Sequence, residues 1–227
     1  MGIIRRKILN KLLFLKDKIF HASFRIKSRK AKFNHIYKMG GFGGTRESCS
    51  GVGSTINNTS TIRKILPDLL KKINAKSIID APCGDFNWMQ NIDLDNILYT
   101  GVDIVNEIVK KNIKAYAGCN QKFFVHDIVK DILPYADVIL SRDCFIHLSN
   151  KDIIQSVLKF KKSGSRYLLT NTYSITKNED MVSGRGYRPI NLLLPPFNFP
   201  EPLLSHKENE LVEEKNLALW PLENIFI

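Results

Sequence analysis

Residues 78–85, IIDAPCGD, decide how the rest of this 227-residue chain is read. Two isoleucines run into a carboxylate, Asp80, and then into a turn through Pro82 and Gly84, as a buried strand does where its chain must reverse quickly. Working outward, the same pattern recurs: YTGVDI (99–104) carries Asp103, FFVHDI (123–128) carries Asp127, and DVILSRDCFIHLS (137–149) carries Arg142 and Asp143. Apolar runs at 77–79, 99–102, 123–125, 137–140 and 166–170 alternate with helical patterns, clearest at 106–112 and 151–161. Short strands bounded by helices form right-handed crossover units, so the fold class is α/β, a doubly wound, mostly parallel sheet. Such sheets take ligands beyond the carboxyl ends of their strands. One Asp there is ordinarily a helix cap, but four in succession are hard to explain as four caps.

The formal net charge of +12 suggests a nucleic-acid binder until it is mapped. Of the 34 Lys and Arg, twelve fall in residues 1–40 against one acid, Asp17, so the remainder is close to neutral. From Ile3 to about Phe24, Ile4, Ile8, Leu12, Leu15 and Ile19 recur at helical spacing with basic residues between them, which predicts a cationic amphipathic helix. Packing on its own domain or a partner protein, and attachment of residues 1–30 to an anionic membrane surface, account for it equally well, with RNA contact third. The chain therefore divides into a basic segment, 1–40, and a catalytic unit, 41–227. That unit has a core at about 75–175 and a covering loop with an edge strand at about 176–227. Gly40, Gly41, Gly43 and Gly44 break the helix, and ESCSGVGST (47–55) is either a linker or part of a site, ahead of a helix at about 56–73. No stretch approaches the ~20 apolar residues of a membrane span. Cys49, Cys83, Cys119 and Cys144 lack the spacing that frames zinc, so the expectation is reduced thiols, no metal, and a cytoplasmic protein, peripheral at the inner membrane surface if the basic helix attaches there.

In this order the motifs resemble the class I, Rossmann-like S-adenosylmethionine-dependent methyltransferases over roughly residues 45–175, and look closest to a bacterial group carrying DAPCGDxNW and a later RDCxxHL. The resemblance implies S-adenosylmethionine as cofactor. Asp80, Ala81, Pro82, Cys83, Gly84, Asp85 and Trp88 would lie at the first turn, Asp103 and Ile104 at the ribose, Asp127 and Ile128 at the adenine, and Arg142 at the end of the fourth strand. The chain departs from that family in its turn, which has Pro82, Gly84 and Phe86 on alternate positions instead of several glycines. DAPC is also similar to the catalytic cysteine motif of RNA cytosine-5 methyltransferases, but there the thiolate lies beside the fourth strand. Cys144 does follow the fourth strand but lacks the preceding proline, and reads as a buried structural thiol. The PPY-like turn of adenine and amide N-methyltransferases is absent too, and both absences weigh against a nucleic-acid substrate.

Methyl transfer is an in-line displacement, so the protein aligns the acceptor and, for a hydroxyl, takes its proton. His147 is the candidate base and Asp143 the runner-up, although a histidine in FIHL can equally bond backbone or face the core. The acceptor side falls to Tyr173 and to a loop bearing Arg185, Tyr187 and Arg188. Guanidinium groups match phosphate and carboxylate, which points to an anionic acceptor; either arginine alone is equally well a solvated loop residue. LLPPFNFPEPLL (193–204) is expected as a covering loop, and LALWPL (217–222) as an antiparallel strand at the sheet edge. Trp88 and Trp220 are read as packing residues. The expected function is O-methylation of a small anionic or carbohydrate acceptor, such as a nucleotide-linked sugar, a phosphorylated compound or a glycan precursor in polysaccharide biosynthesis. An RNA methyltransferase using the basic arm and a non-catalytic, cofactor-binding assembly subunit are the alternatives.

Overall fold

Isoleucines 78 and 79 point to opposite faces of β1 (Ser77–Asp80) and belong to two different hydrophobic clusters, so this strand is buried on both sides. The computed structural model describes residues 28–41, 43, 45–94, 96–208 and 214–227, and the amphipathic helix expected at 3–24 lies outside them. Flanking β1 are β2 (Leu98–Asp103), β3 (Gln121–Val125), β4 (Val138–Ser141), β5 (Tyr167–Tyr173), β6 (Leu204–Lys207) and β7 (Lys215–Pro221), in the sheet order β3-β2-β1-β4-β5-β7-β6. The first five are parallel, and β7 is antiparallel to both β5 and β6.

Among the described residues the α-helices are α1 (Arg29–Lys38), α2 (Ser60–Lys72), α3 (Asn106–Tyr116) and α4 (Asn150–Lys162). Ile62, Leu66, Leu69 and Leu70 of α2 cover one face of the sheet, where Val138, Leu140 and Leu169 meet them. Ile153, Val157 and Phe160 of α4 cover the other, against Ile139 and Leu168. Helix α4 starts where Ser149 Oγ accepts the amide of Asp152, and its last turn carries Lys159, Lys161 and Lys162, favourable at the negative end of the helix dipole.

The doubly wound sheet is as expected from the strand pattern, with three local differences. LALWPL is not the edge: β7 lies between β5 and β6, and Pro221 is tolerated because it is the strand's last residue. The strand at that edge is β6, whose sequence LSHK is mostly exposed and carries no apolar alternation to betray it. Among its described residues the β1–β2 crossover contains only a short 3-10 turn at Met89–Asn91, because Phe86 (φ 60°) and Asn96 (φ 58°) adopt left-handed conformations that interrupt a helix. Finally, α2 begins at Ser60, later than the apolar pattern from Ile56 indicated.

Candidate active site

The carboxyl ends of the parallel strands open into a cavity of about 590 Å³, within the ~300–1,000 Å³ range of small-molecule sites. Asp80 and Asp103 are the last residues of neighbouring strands and both are buried. Desolvation pushes the Asp80 carboxyl up to about 7, partly offset by Tyr99, whose hydroxyl donates to Oδ2 at 2.9 Å. Desolvation likewise raises Asp103 to about 6, although it accepts the amides of Val105 at 2.8 Å and Gly84 at 3.2 Å. Two buried carboxylates in one cavity favour a ligand that brings positive charge and hydrogen-bond donors.

The turn between them is set by close packing. Gly84 has φ 54°, and a Cβ there would lie 2.3 Å from Ser50 Oγ. That contact brings in the glycine-bearing loop left open between linker and site, and it is part of the site. Ser48 Oγ and the Cys49 amide donate to Asp85, the Asp85 amide donates to Ser50 Oγ at 2.9 Å, and Cys49 to Ser54 line the cavity. Gly84→Ala is expected to destabilise the protein by ~2–4 kcal/mol, from left-handed strain plus the clash. Chemical denaturation measures this, and a variant as stable as wild type would mean that the loop does not seat on the turn.

At the far end of the cavity an antiparallel strand matters. Because β7 runs against its neighbours, its first residue, Lys215, lies at the same sheet edge as the last residue of β5, Tyr173. Lys215 Nζ lies 2.7 Å from Asp143 Oδ1 and 3.2 Å from Glu208 Oε2. Arg142 donates through Nε to Glu208 and through Nη1 to Gly53 O at 2.9 Å, and its Nη1 lies 3.1 Å from Asp143 Oδ2. Asn171 Nδ2 donates to Glu208, and Asn171 Oδ1 accepts the Asp143 amide at 2.8 Å. Asp143 sits at φ 51°, a conformation these bonds hold. Burial alone would raise its carboxyl, but Arg142 and Lys215 more than offset this and hold it below the usual range, fully ionised and a poor base.

His147 Nδ1 lies 2.6 Å from the Gly186 carbonyl, which can only accept, so the proton sits on Nδ1 and the lone pair on Nε2. Burial lowers its pKa, with Gly186 and Asp143 opposing, so the ring is neutral at physiological pH.

Of the residues singled out from sequence, Asp80, Pro82, Cys83, Gly84, Trp88, Asp103, Ile104, Asp127, Ile128, Arg142, Asp143, His147, Tyr173 and Tyr187 line this one cavity. Ala81 and Asp85 lie beside it, Ala81 in the core and Asp85 tied to the 48–50 loop. The two loop arginines are elsewhere. Arg188 is buried, donating to Glu179 O and Asn150 Oδ1, both at 2.7 Å; exposed Arg185 faces a second groove with Lys32 and Lys151. Sequence reasoning missed Lys215 and Glu208, which are polar residues near a weak edge strand. It also missed Arg29, Phe33, Ile36 and Tyr37 of α1, which line the cavity from within the segment set apart by charge. His126 lines it too, beside Asp127. No group of His, Cys, Asp and Glu among the described residues could hold a metal ion, and no helix among them is long and apolar enough to cross a membrane.

No family model matches the chain, and no curated protein matches it in sequence. Solved structures do match. Magnesium protoporphyrin IX methyltransferase from Synechocystis PCC 6803, with bound SAH, is 12% identical, with a TM-score of 0.53 over 72% of this chain and 84% of that one. Human N-acetylserotonin methyltransferase, in complex with SAM, is also 12% identical, with a TM-score of 0.50 over 84% and 66%. TehB from Haemophilus influenzae is 19% identical, with a TM-score of 0.50 over 71% and 63%. With this sheet order and these matches, the chain has the Rossmann-like fold of S-adenosylmethionine-dependent methyltransferases.

Proposed function

We propose that the protein is an S-adenosylmethionine-dependent methyltransferase that methylates a hydroxyl of a small acceptor. The observation that carries this reading is the pair of buried carboxylates, Asp80 and Asp103, at adjacent strand ends around the Gly84 turn. The residues present fit the cofactor. Asp103 has two oxygens, so after the amides of Gly84 and Val105 it keeps acceptor capacity for ribose hydroxyls. Asp80 suits the cationic methionine end, and Asp127 and Ile128 the adenine. When bound, the cofactor supplies the electrophilic methyl group. In this reading His147 accepts the acceptor's proton through Nε2, while Asp143, kept ionised, steadies the imidazolium that forms.

Among the described residues the cations at the acceptor end are Arg142 and Lys215, each paired with both Asp143 and Glu208. An anionic group on the acceptor, phosphate or carboxylate, would therefore meet Lys215 rather than Arg185 or Arg188. Sugar and glycan-precursor acceptors, and kinship with the DAPCGDxNW group, are the finer form of this reading. Two coverings, α1 on one side and the 184–188 loop on the other, favour a small acceptor over an RNA chain. Residues 1–30 are proposed as an anchor to an anionic membrane surface or a partner protein.

Calorimetry with S-adenosylhomocysteine tests the reading. Because Asp80 and Asp103 are held near 7 and 6, the ligand should bind their ionised forms and displace protons. Affinity is expected to tighten from pH 5 to pH 8 and flatten above, with a binding enthalpy that varies with buffer ionisation enthalpy below pH 7. An absence of binding at millimolar ligand defeats the proposal. Labelled methyl incorporation across a panel of hydroxylated phosphates and sugars then identifies the acceptor.

A further inference from the structure

Helix α1 is weakly built as a packing element. Of its ten residues only Lys32 is buried, while Phe33, Ile36 and Tyr37 turn toward the cavity. Phe33 also packs against the core cluster on that side of the sheet, and beyond this its strongest bonds to the domain are ionic. Arg29 donates through Nε to Asp127 Oδ1 at 3.0 Å and through Nη2 to Asp127 Oδ2 at 2.9 Å. Its third nitrogen, Nη1, lies 3.0 Å from Asp152 Oδ1 on α4. All three side chains are less than one-fifth exposed, so solvent screens them less than a surface pair. At the other end, Lys111 of α3 donates to Tyr37 Oη at 2.8 Å, in an exposed contact.

A carboxylate offers about four acceptor sites. On Asp127, Oδ1 accepts both Arg29 Nε and the Val129 amide at 3.1 Å, and Oδ2 accepts Arg29 Nη2, which leaves one site on Oδ2. That site suits a single amino hydrogen. Asp127 thus holds the helix and faces the nucleoside end of the cavity at once.

We propose that Arg29 is a positioning residue: it latches α1 over the adenine end of the cofactor and fixes the orientation of Asp127, so that cofactor exchange requires the Asp127–Arg29–Asp152 cluster to open. This rests on the cofactor assignment above. The consequence is kinetic, because a segment with few buried apolar contacts opens locally at a rate its remaining bonds control. Asp152 is the informative partner. It does not line the cofactor cavity, yet it should govern cofactor release through Arg29.

The test is the dissociation rate of S-adenosylhomocysteine from the full chain, followed by displacement in stopped flow. Arg29→Gln is expected to speed dissociation about tenfold or more, and Arg29→Lys, which can satisfy one carboxylate but not both, by an intermediate factor. Asp152→Asn, which keeps an oxygen to accept the Ser183 hydroxyl, should speed it severalfold, and the double variant no further than Arg29→Gln alone. Salt should accelerate release from wild type but not from Arg29→Gln. An unchanged rate in Arg29→Gln with ligand still bound, or an Asp152→Asn effect that persists undiminished in the Arg29→Gln background, overturns the latch. If wild type binds no S-adenosylhomocysteine, the cofactor assignment itself fails and the latch with it.

Discussion

Glu208→Ala is expected to lower the stability of the protein by ~3–5 kcal/mol, the usual loss when one member of a buried ion network is removed. Glu208 is 1% exposed and accepts from Arg142, Asn171 and Lys215, which come from three different places in the sheet. Without it, two buried cations share only Asp143, and Asn171 loses the acceptor that orients it under the Asp143 amide. Against a total of ~5–15 kcal/mol for a domain, that loss amounts to a melting temperature lower by roughly 10 °C. Glu208→Gln should fall between the two, since its oxygen can still face Arg142 while its amide meets the donors of Asn171 and Lys215. A melting curve for Glu208→Ala that overlays wild type would show that the network does not hold the strand ends together.

This network also marks where the sequence stopped being informative. Strands β1, β2, β4 and β5 were legible because they are buried on both faces and read as apolar runs, each ending on or next to a polar residue. A strand end buried next to a cavity leaves a local signature: a carboxylate followed by a tight turn. Glu208 and Lys215 carry no such signature. They become neighbours of Asp143 only because β6 and β7 fold back beside β5, and β6 is exposed and polar along most of its length. Helix α1 was hidden differently. Its charge grouped it with the basic segment, whereas Arg29 is used up in pairing with Asp127 and Asp152. Arg185 and Arg188 misled in the opposite sense: a guanidinium in a polar loop looks like a ligand donor, yet Arg188 spends its donors on Glu179 O and Asn150. Local pattern reports what a residue can bond to, and only the folded chain decides which partner arrives first.

Asp103→Ala is expected to weaken S-adenosylhomocysteine binding at least ~100-fold, since two hydrogen bonds to a charged acceptor contribute ~1.5–3 kcal/mol each. The stability of the same variant separates a lost ligand contact from a collapsed turn. In wild type the folded-state carboxyl is raised from 3.8 to about 6, so the folded form binds the proton more tightly than the unfolded form. This group's contribution to stability is therefore greatest below pH 4 and is lost as pH rises through 6. Removing it forfeits less at pH 8 than at pH 5, although the amides of Gly84 and Val105 lose their acceptor at both. Thermal denaturation of the two proteins at both pH values should accordingly show a smaller gap at pH 8. Affinity measured there then reports the ribose contact with the least structural damage. Tight binding by Asp103→Ala at pH 8 would move the ribose away from β2, and with it the order in which the cofactor lies along the strand ends.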